Sequence, residues 1–99
     1  MNVEYLKNGK SLTVKPEGRM DTSTSPELNE KTKAQMEDIT ELILDMEKVS
    51  YTSSGGLRVI LEWQQIMDDR GGQMKLLHVN EYITEVFDLT GLLNVFTIE

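Results

Sequence analysis

The sequence predicts an α/β protein: a mixed sheet of four to five strands, with about three to four helices mostly on one side. Three observations carry this expectation. Apolar residues alternate on either side of Asn8-Gly9, the dipeptide favoured in tight hairpin turns. Strand-like and helix-like runs then follow one another singly, in the order β-β-α-β-α-β-α, with room for a last short strand. Strands joined by single helices imply right-handed crossovers and a largely parallel inner sheet. The 99 residues contain no repeat, linker or low-complexity tract, so residues 1–99 are expected to form one domain.

The elements follow in order. Val3, Tyr5 and Leu6 make a first short strand, and Leu12, Val14 and Met20 continue beyond the turn. Pro16 has no N–H to give a ladder, so a bend or a sheet edge is expected there. A helix starts near Ser25-Pro26-Glu27: serine suits a cap, proline the first helical position, and glutamate the positive end of the dipole. Its apolar face is thin (Leu28, Ala34, Met36), which fits a peripheral helix. Leu42-Ile43-Leu44, followed by Met46, Val49 and Tyr51, reads as a central strand buried on both sides. Val59, Ile60, Trp63, Ile66 and Met67 recur at helical spacing, and Gly71-Gly72 ends that helix. The segment "QMKLLHV" is a further strand. Asn80 caps a last helix with Ile83, Val86 and Phe87 on its apolar face, and Gly91 stops it.

Composition narrows the function. A formal net charge of −7 opposes binding to nucleic acid or to anionic membrane surfaces. Cysteine is absent, so there is neither a disulfide framework nor a thiolate zinc site. The opening "MNVEYLKNGK" lacks the apolar core of a signal peptide, and a cytoplasmic protein is expected. No apolar run approaches the ~20 residues of a membrane span. A monomer is expected in the absence of an obvious exposed apolar patch.

Catalytic constellations are missing. The one histidine, His78, lies in a strand-like apolar run and reads as a packed or edge residue. No serine sits in a G-x-S-x-G elbow, and "SSGG" lacks the lysine and spacing of a phosphate-binding loop. Asp and Glu total 17, so local acidic pairs default to solvated surface. Trp63 falls in phase with core positions. An enzyme is therefore not expected, and neither a cofactor nor a metal is called for.

One stretch asks for more than a turn. "SYTSSGGLRVIL", residues 50–61, runs from a strand through two serines and two glycines straight into an apolar helix. Partners of open α/β sheets gather at the carboxyl ends of strands. A helix N-terminus offers unpaired N–H groups and a partial positive charge. Serine there serves as a cap, or as a phosphorylation site whose anion the helix end tolerates. Gly55 and Gly56 permit a close backbone approach and keep side chains out of an incoming enzyme's way.

"LILDMEKVSYTSSGGLRVIL" resembles the signature of the bacterial anti-sigma factor antagonists, within the sulphate transporter and anti-sigma antagonist (STAS) domain family. "GRMDTSTSPELNE", with Gly18 and Asp21, and "FDLTGLLNVFTI", with Gly91 and Leu92, are similar to two further family segments, in the right order and spacing. The resemblance implies a STAS-type fold. It also implies a switch in which an anti-sigma factor, a serine kinase of the histidine-kinase-like ATPase fold, phosphorylates one serine at the helix start. The unphosphorylated antagonist would bind that kinase and free the sigma factor, and a PP2C-type phosphatase would reverse the modification. Aligned on Leu57, Ser54 takes the phosphoacceptor position, with Ser53 the second candidate; Ser53 stands where many members carry aspartate. Asp21 corresponds to an acidic residue near the phosphoacceptor, where it either orients the serine or only turns the chain. The expected partner surface comprises Asp21, Thr22, Ser23 and Thr24 with Ser53, Ser54, Gly55, Gly56, Leu57 and Arg58. Some family members serve instead as unphosphorylated scaffolds or interaction modules in signalling or transport complexes.

Overall fold

The computed structural model describes residues 1–99. Strands β1 (Asn2–Asn8) and β2 (Ser11–Met20) form the hairpin, antiparallel, with Asn8 facing Ser11 across the turn and Gly9 at φ 62°. Helix α1 (Ser25–Lys33) leads to β3 (Glu41–Asp45), then β4 (Val49–Thr52). Helix α2 (Ser54–Asp69) returns to β5 (Gln73–Leu77), and α3 (Glu81–Leu89) with a 3-10 turn at Leu92–Asn94 leads to β6 (Thr97–Ile98). The sheet order is β1-β2-β3-β5-β6, with every pairing after the hairpin parallel. β4 lies beside the far half of β2.

The run from Leu42 to Tyr51 is thus two strands in line. β2 pairs with β3 through Ser11–Val14 and with β4 through Gly18–Met20, and the register shifts between Gly18 and Arg19. Pro16 falls between these two ladders. It neither bends β2 to a stop nor marks an outer edge, because the position where its missing N–H would matter has no partner on that side.

β3 is not buried on both faces. Leu42 and Leu44 are fully buried, whereas Glu41 and Ile43 are half-buried. Leu12 and Val14 on β2, and Met74 and Leu76 on β5, repeat that alternation. The helices cover one face, and the other stays open, laced by Ser11 Oγ donating to Glu41 at 2.8 Å and by ion pairs Lys15–Asp45 and Lys75–Glu41.

Trp63, Ile60 and Met67 on α2, with Ile83 and Phe87 on α3, close the core with no exposed area. Each such side chain contributes about 1.5–3 kcal/mol by leaving water. Trp63 is a core residue as expected, and its Nε1 donates to Asn29 Oδ1 at 2.9 Å. α1 adds Leu28 to that core, while Met36 and Ile39 are buried from the otherwise exposed loop that follows the helix. Arg70 holds this loop by donating to the carbonyls of Met36 and Ile39. Ser25 is the first helical residue and is buried, so Thr24, not Ser25, occupies the cap position. Asn80 caps α3 as expected, accepting from Ile83 N at 2.8 Å.

Candidate functional site

The serine loop lies at the carboxyl end of β4. Ser53 is the cap residue of α2, with extended backbone, and its N–H donates to Met20 O at 3.0 Å. Its carbonyl receives Leu57 N at 3.0 Å, which starts the helix. Its Oγ is buried without a hydrogen-bond partner, so Ser53 does not cap with its side chain. Ser54, the first residue of α2, is exposed, and no acidic residue stands in that first turn. Of the two serines, Ser54 is the one a second protein can reach.

Gly56 is a steric necessity of the fold, and Gly55 is a close fit. A Cβ on Gly55 would lie 2.9 Å from Thr22 Cα. One on Gly56 would lie 2.5 Å from Met20 O and closer still to Thr52 Oγ1. The start of α2 is therefore pressed against the segment Met20–Thr22, and at Gly56 only a residue without a side chain fits between. Leu57, 8% exposed, points into the core and supports the loop from beneath, while Arg58 is exposed. The solvent face at this end consists of Ser54 and Arg58 together with Thr22 and Ser23.

Asp21 builds the neighbouring turn. Its Oδ1 accepts from Ser23 N at 3.0 Å, Ser23 Oγ at 2.8 Å and Thr24 N at 3.1 Å. Thr24 Oγ1 in turn donates to Arg19 O at 2.7 Å. The Ser23 hydroxyl and the Thr24 N–H stabilise the anion and draw the carboxyl down to about 2. These partners all belong to the turn, and no hydrogen bond runs from Asp21 to Ser53 or Ser54. Asp21 is thus hydrogen-bonded within its own turn.

Sequence reasoning missed a second feature at this end. Arg19 pairs with Tyr51 across β2 and β4, its guanidinium 4.1 Å from the centre of the tyrosine ring. Tyr51 stacks on Tyr82 of α3, with ring centres 5.8 Å apart. Strand phase gave no signal for it: Val49, two residues before Tyr51, is buried, and the register shifts between Gly18 and Arg19.

His78 is also differently placed than expected. β5 ends at Leu77, and His78 turns out of it in the left-handed region at φ 58°. Its Nδ1 is 2.8 Å from Oδ1 of Asp45, a carboxylate of which only 10% of the side chain is exposed. No hydroxyl or thiol joins this pair, and no group of His, Asp and Glu side chains is placed to hold a metal ion.

The molecule is an open-faced α/β domain whose distinctive surface is a hydroxyl-bearing helix start beside an acidic turn. Sequence comparison assigns it plainly: the profile of the STAS domain matches residues 2–99, and the chain belongs to the STAS domain family. The anti-sigma-B factor antagonist of Bacillus subtilis (strain 168) is 31% identical over 98 residues, covering 99% of this chain and 90% of the relative. Among solved structures, the anti-sigma factor antagonist SpoIIAA in its unphosphorylated form superposes with a TM-score of 0.77 at 16% identity, covering 99% of this chain and 87% of the other. SpoIIAA in the phosphorylated form gives 0.76 at 18% identity, covering 99% and 91%. No helix of this chain is long and apolar enough to cross a membrane.

Proposed function

We propose that this protein is an anti-sigma factor antagonist, a regulatory binding protein without catalysis of its own, switched by phosphorylation of Ser54. In its unphosphorylated form it binds a cognate anti-sigma factor and frees the sigma factor. That partner is a serine kinase of the histidine-kinase-like ATPase fold, and a PP2C-type phosphatase restores the free hydroxyl. The observation that carries this reading is the exposed Ser54 hydroxyl at the start of α2, beside the Asp21–Thr24 turn. The sequence kinship with the B. subtilis antagonist supports the same role.

The physical logic of the switch is local. A phosphate adds about −1.5 to −2 charges at pH 7. At Ser54 it would stand in solvent near the positive end of α2, where an anion is favoured by a few tenths to one kcal/mol, roughly. Nothing in the fold has to move to accommodate it. Its effect falls on the partner, which meets a charged group where it would otherwise meet a neutral hydroxyl; a mismatched, desolvated anion costs on the order of several kcal/mol of binding.

Capture from a lysate of the native host tests this, with wild type, Ser54→Ala and Ser54→Asp as baits and mass spectrometry to identify what is bound. An ATPase-fold anti-sigma factor held by the first two baits and lost by the third is the expected result. The same partners on all three would make the protein a constitutive scaffold and Ser54 a mere opening residue of α2.

A further inference from the structure

The Arg19–Tyr51–Tyr82 stack stands beside the serine loop and has no role in holding the core. Arg19 is exposed over 61% of its side chain, and Tyr82 over 51%. Such residues are costly to display: an arginine held in one geometry loses rotamer freedom, and an exposed tyrosine ring leaves apolar area in water. Here both pack against Tyr51. The guanidinium carbon lies 4.1 Å from the centre of the Tyr51 ring, and Nε lies 3.5 Å from Asp21 Oδ2. The terminal nitrogens of Arg19 are left without a protein acceptor. A guanidinium so oriented presents a fork that matches a carboxylate in both spacing and charge.

Its location ties it to the switch. Arg19 is two residues from Asp21, and Tyr51 is three from Ser54, a span of at most about 11 Å. Arg58 is exposed on the first turns of α2, and that first turn contains no acidic residue. Asp21, the one carboxylate in contact with Arg19, spends its Oδ1 on Ser23 and Thr24. In a chain of net charge −7, the Ser54 end thus gathers two exposed arginines and a helix N-terminus. Against these stands the ionised Asp21 carboxylate paired with Arg19, so a phosphate at Ser54 would cancel the positive charge that remains.

We infer that Arg19, held on Tyr51 and Tyr82, is the anchor by which this protein grips an acidic patch of its anti-sigma factor, so that the contact and the switch act through the same charges. This rests on the function proposed above and names the chemistry of the partner's surface. Stacked arginines and tyrosines are the residue types that carry binding energy at interface centres. The exposed arginines draw an acidic surface when Ser54 is free, and a phosphate on Ser54 cancels that attraction and meets the acidic surface with like charge.

The test adds Arg19→Glu, Arg19→Gln and Tyr82→Ala to the wild-type and Ser54→Asp baits, with captured ATPase-fold anti-sigma factor as the readout. Thermal melts of each variant check the fold; Arg19 and Tyr82 are exposed, and melts like wild type are expected. Arg19→Glu should lower capture about tenfold or more and Arg19→Gln less, with the wild-type complex weakening as salt rises. The anti-sigma factor so identified is then purified, and its surface carboxylates are changed singly to lysine; one such change should restore binding to Arg19→Glu. Capture by Arg19→Glu equal to wild type, while Ser54→Asp is lost, overturns the anchor and leaves the proposed switch standing. Loss of binding by Arg19→Glu that no carboxylate-to-lysine change restores also overturns it. Equal capture by every bait, or by none, removes the switch and the anchor together.

Discussion

Gly56 and Met20 meet so closely that a β-carbon on the glycine would stand 2.5 Å from the Met20 carbonyl oxygen and nearer still to the Thr52 hydroxyl. The start of α2 is thereby locked onto the ends of β2 and β4. Gly56→Ala has to displace backbone on one side, and overpacking of this kind costs about 1–3 kcal/mol or more. A lower urea midpoint at unchanged slope is the expected readout. Gly55→Ala meets Thr22 at 2.9 Å, at an exposed turn that can yield, so its loss should be smaller.

Asn29 links α1 to α2 through the core tryptophan. Its Oδ1 accepts from Trp63 Nε1 at 2.9 Å, and its Nδ2 donates to Glu62 at 3.2 Å. Asn29→Leu keeps most of the volume but leaves a buried indole N–H unpaired. The expected loss is about 1–3 kcal/mol, measured by chemical denaturation followed on the tryptophan fluorescence.

The His78–Asp45 pair gives stability a defined dependence on pH. The hydrogen bond that His78 donates to Asp45, and then the charge of Asp45, raise the imidazole above its ordinary value near 6.5. Burial would raise the Asp45 carboxyl, but hydrogen bonds from His78 and from the Glu47 N–H outweigh this and leave it below 3.8. A raised histidine stabilises the fold fully below its unfolded value and loses that contribution as pH rises through the folded one. A lowered aspartate stabilises above its unfolded value and loses it as pH falls through the folded one. The pair should therefore help most between about pH 4 and 6.5. Melting temperatures of wild type should fall, relative to His78→Asn, as pH rises from 6.5 toward 8. Asparagine tolerates the left-handed backbone at this position, so the comparison isolates the charge. An unchanged difference across that range would show that the imidazolium is not coupled to folding.

Asp21 should hold its turn over nearly the whole pH range, because its carboxyl titrates near 2. Asp21→Ala removes the acceptor of the Ser23 and Thr24 N–H groups. Amide exchange at Ser23 and Thr24 should then accelerate, and the Arg19 side chain should lose its Nε partner. If exchange at these amides does not change, the turn is held by its packing against Gly55 instead.

Much of this architecture was legible in the sequence because it depends on local signals. Asn8-Gly9, the Asn80 cap and the helical spacing of Val59, Ile60, Trp63 and Met67 each name an element without reference to the rest of the chain. The break of Leu42–Tyr51 into two strands was not legible, since an apolar run looks the same whether or not its neighbour strand shifts register. Nor was the open face of the sheet: Ile43 is as apolar as Leu42 and Leu44, so composition hides the alternation that burial reveals.

By itself the sequence determined the hairpin, the alternation of strands and helices, and a serine opening a helix after a strand. Periodicity and turn chemistry act over a few residues, and the chain order fixes them. Which hydroxyl faces solvent, the hydrogen bonds of Asp21 within its turn, and the meeting of Arg19 with Tyr51 and Tyr82 were decided only by the tertiary structure. His78 finds Asp45 across 33 residues in the same way. These relationships depend on strand register and on the glycine-sized gap between α2 and β2. Both are set by how whole elements pack, a property that no short stretch of residues contains.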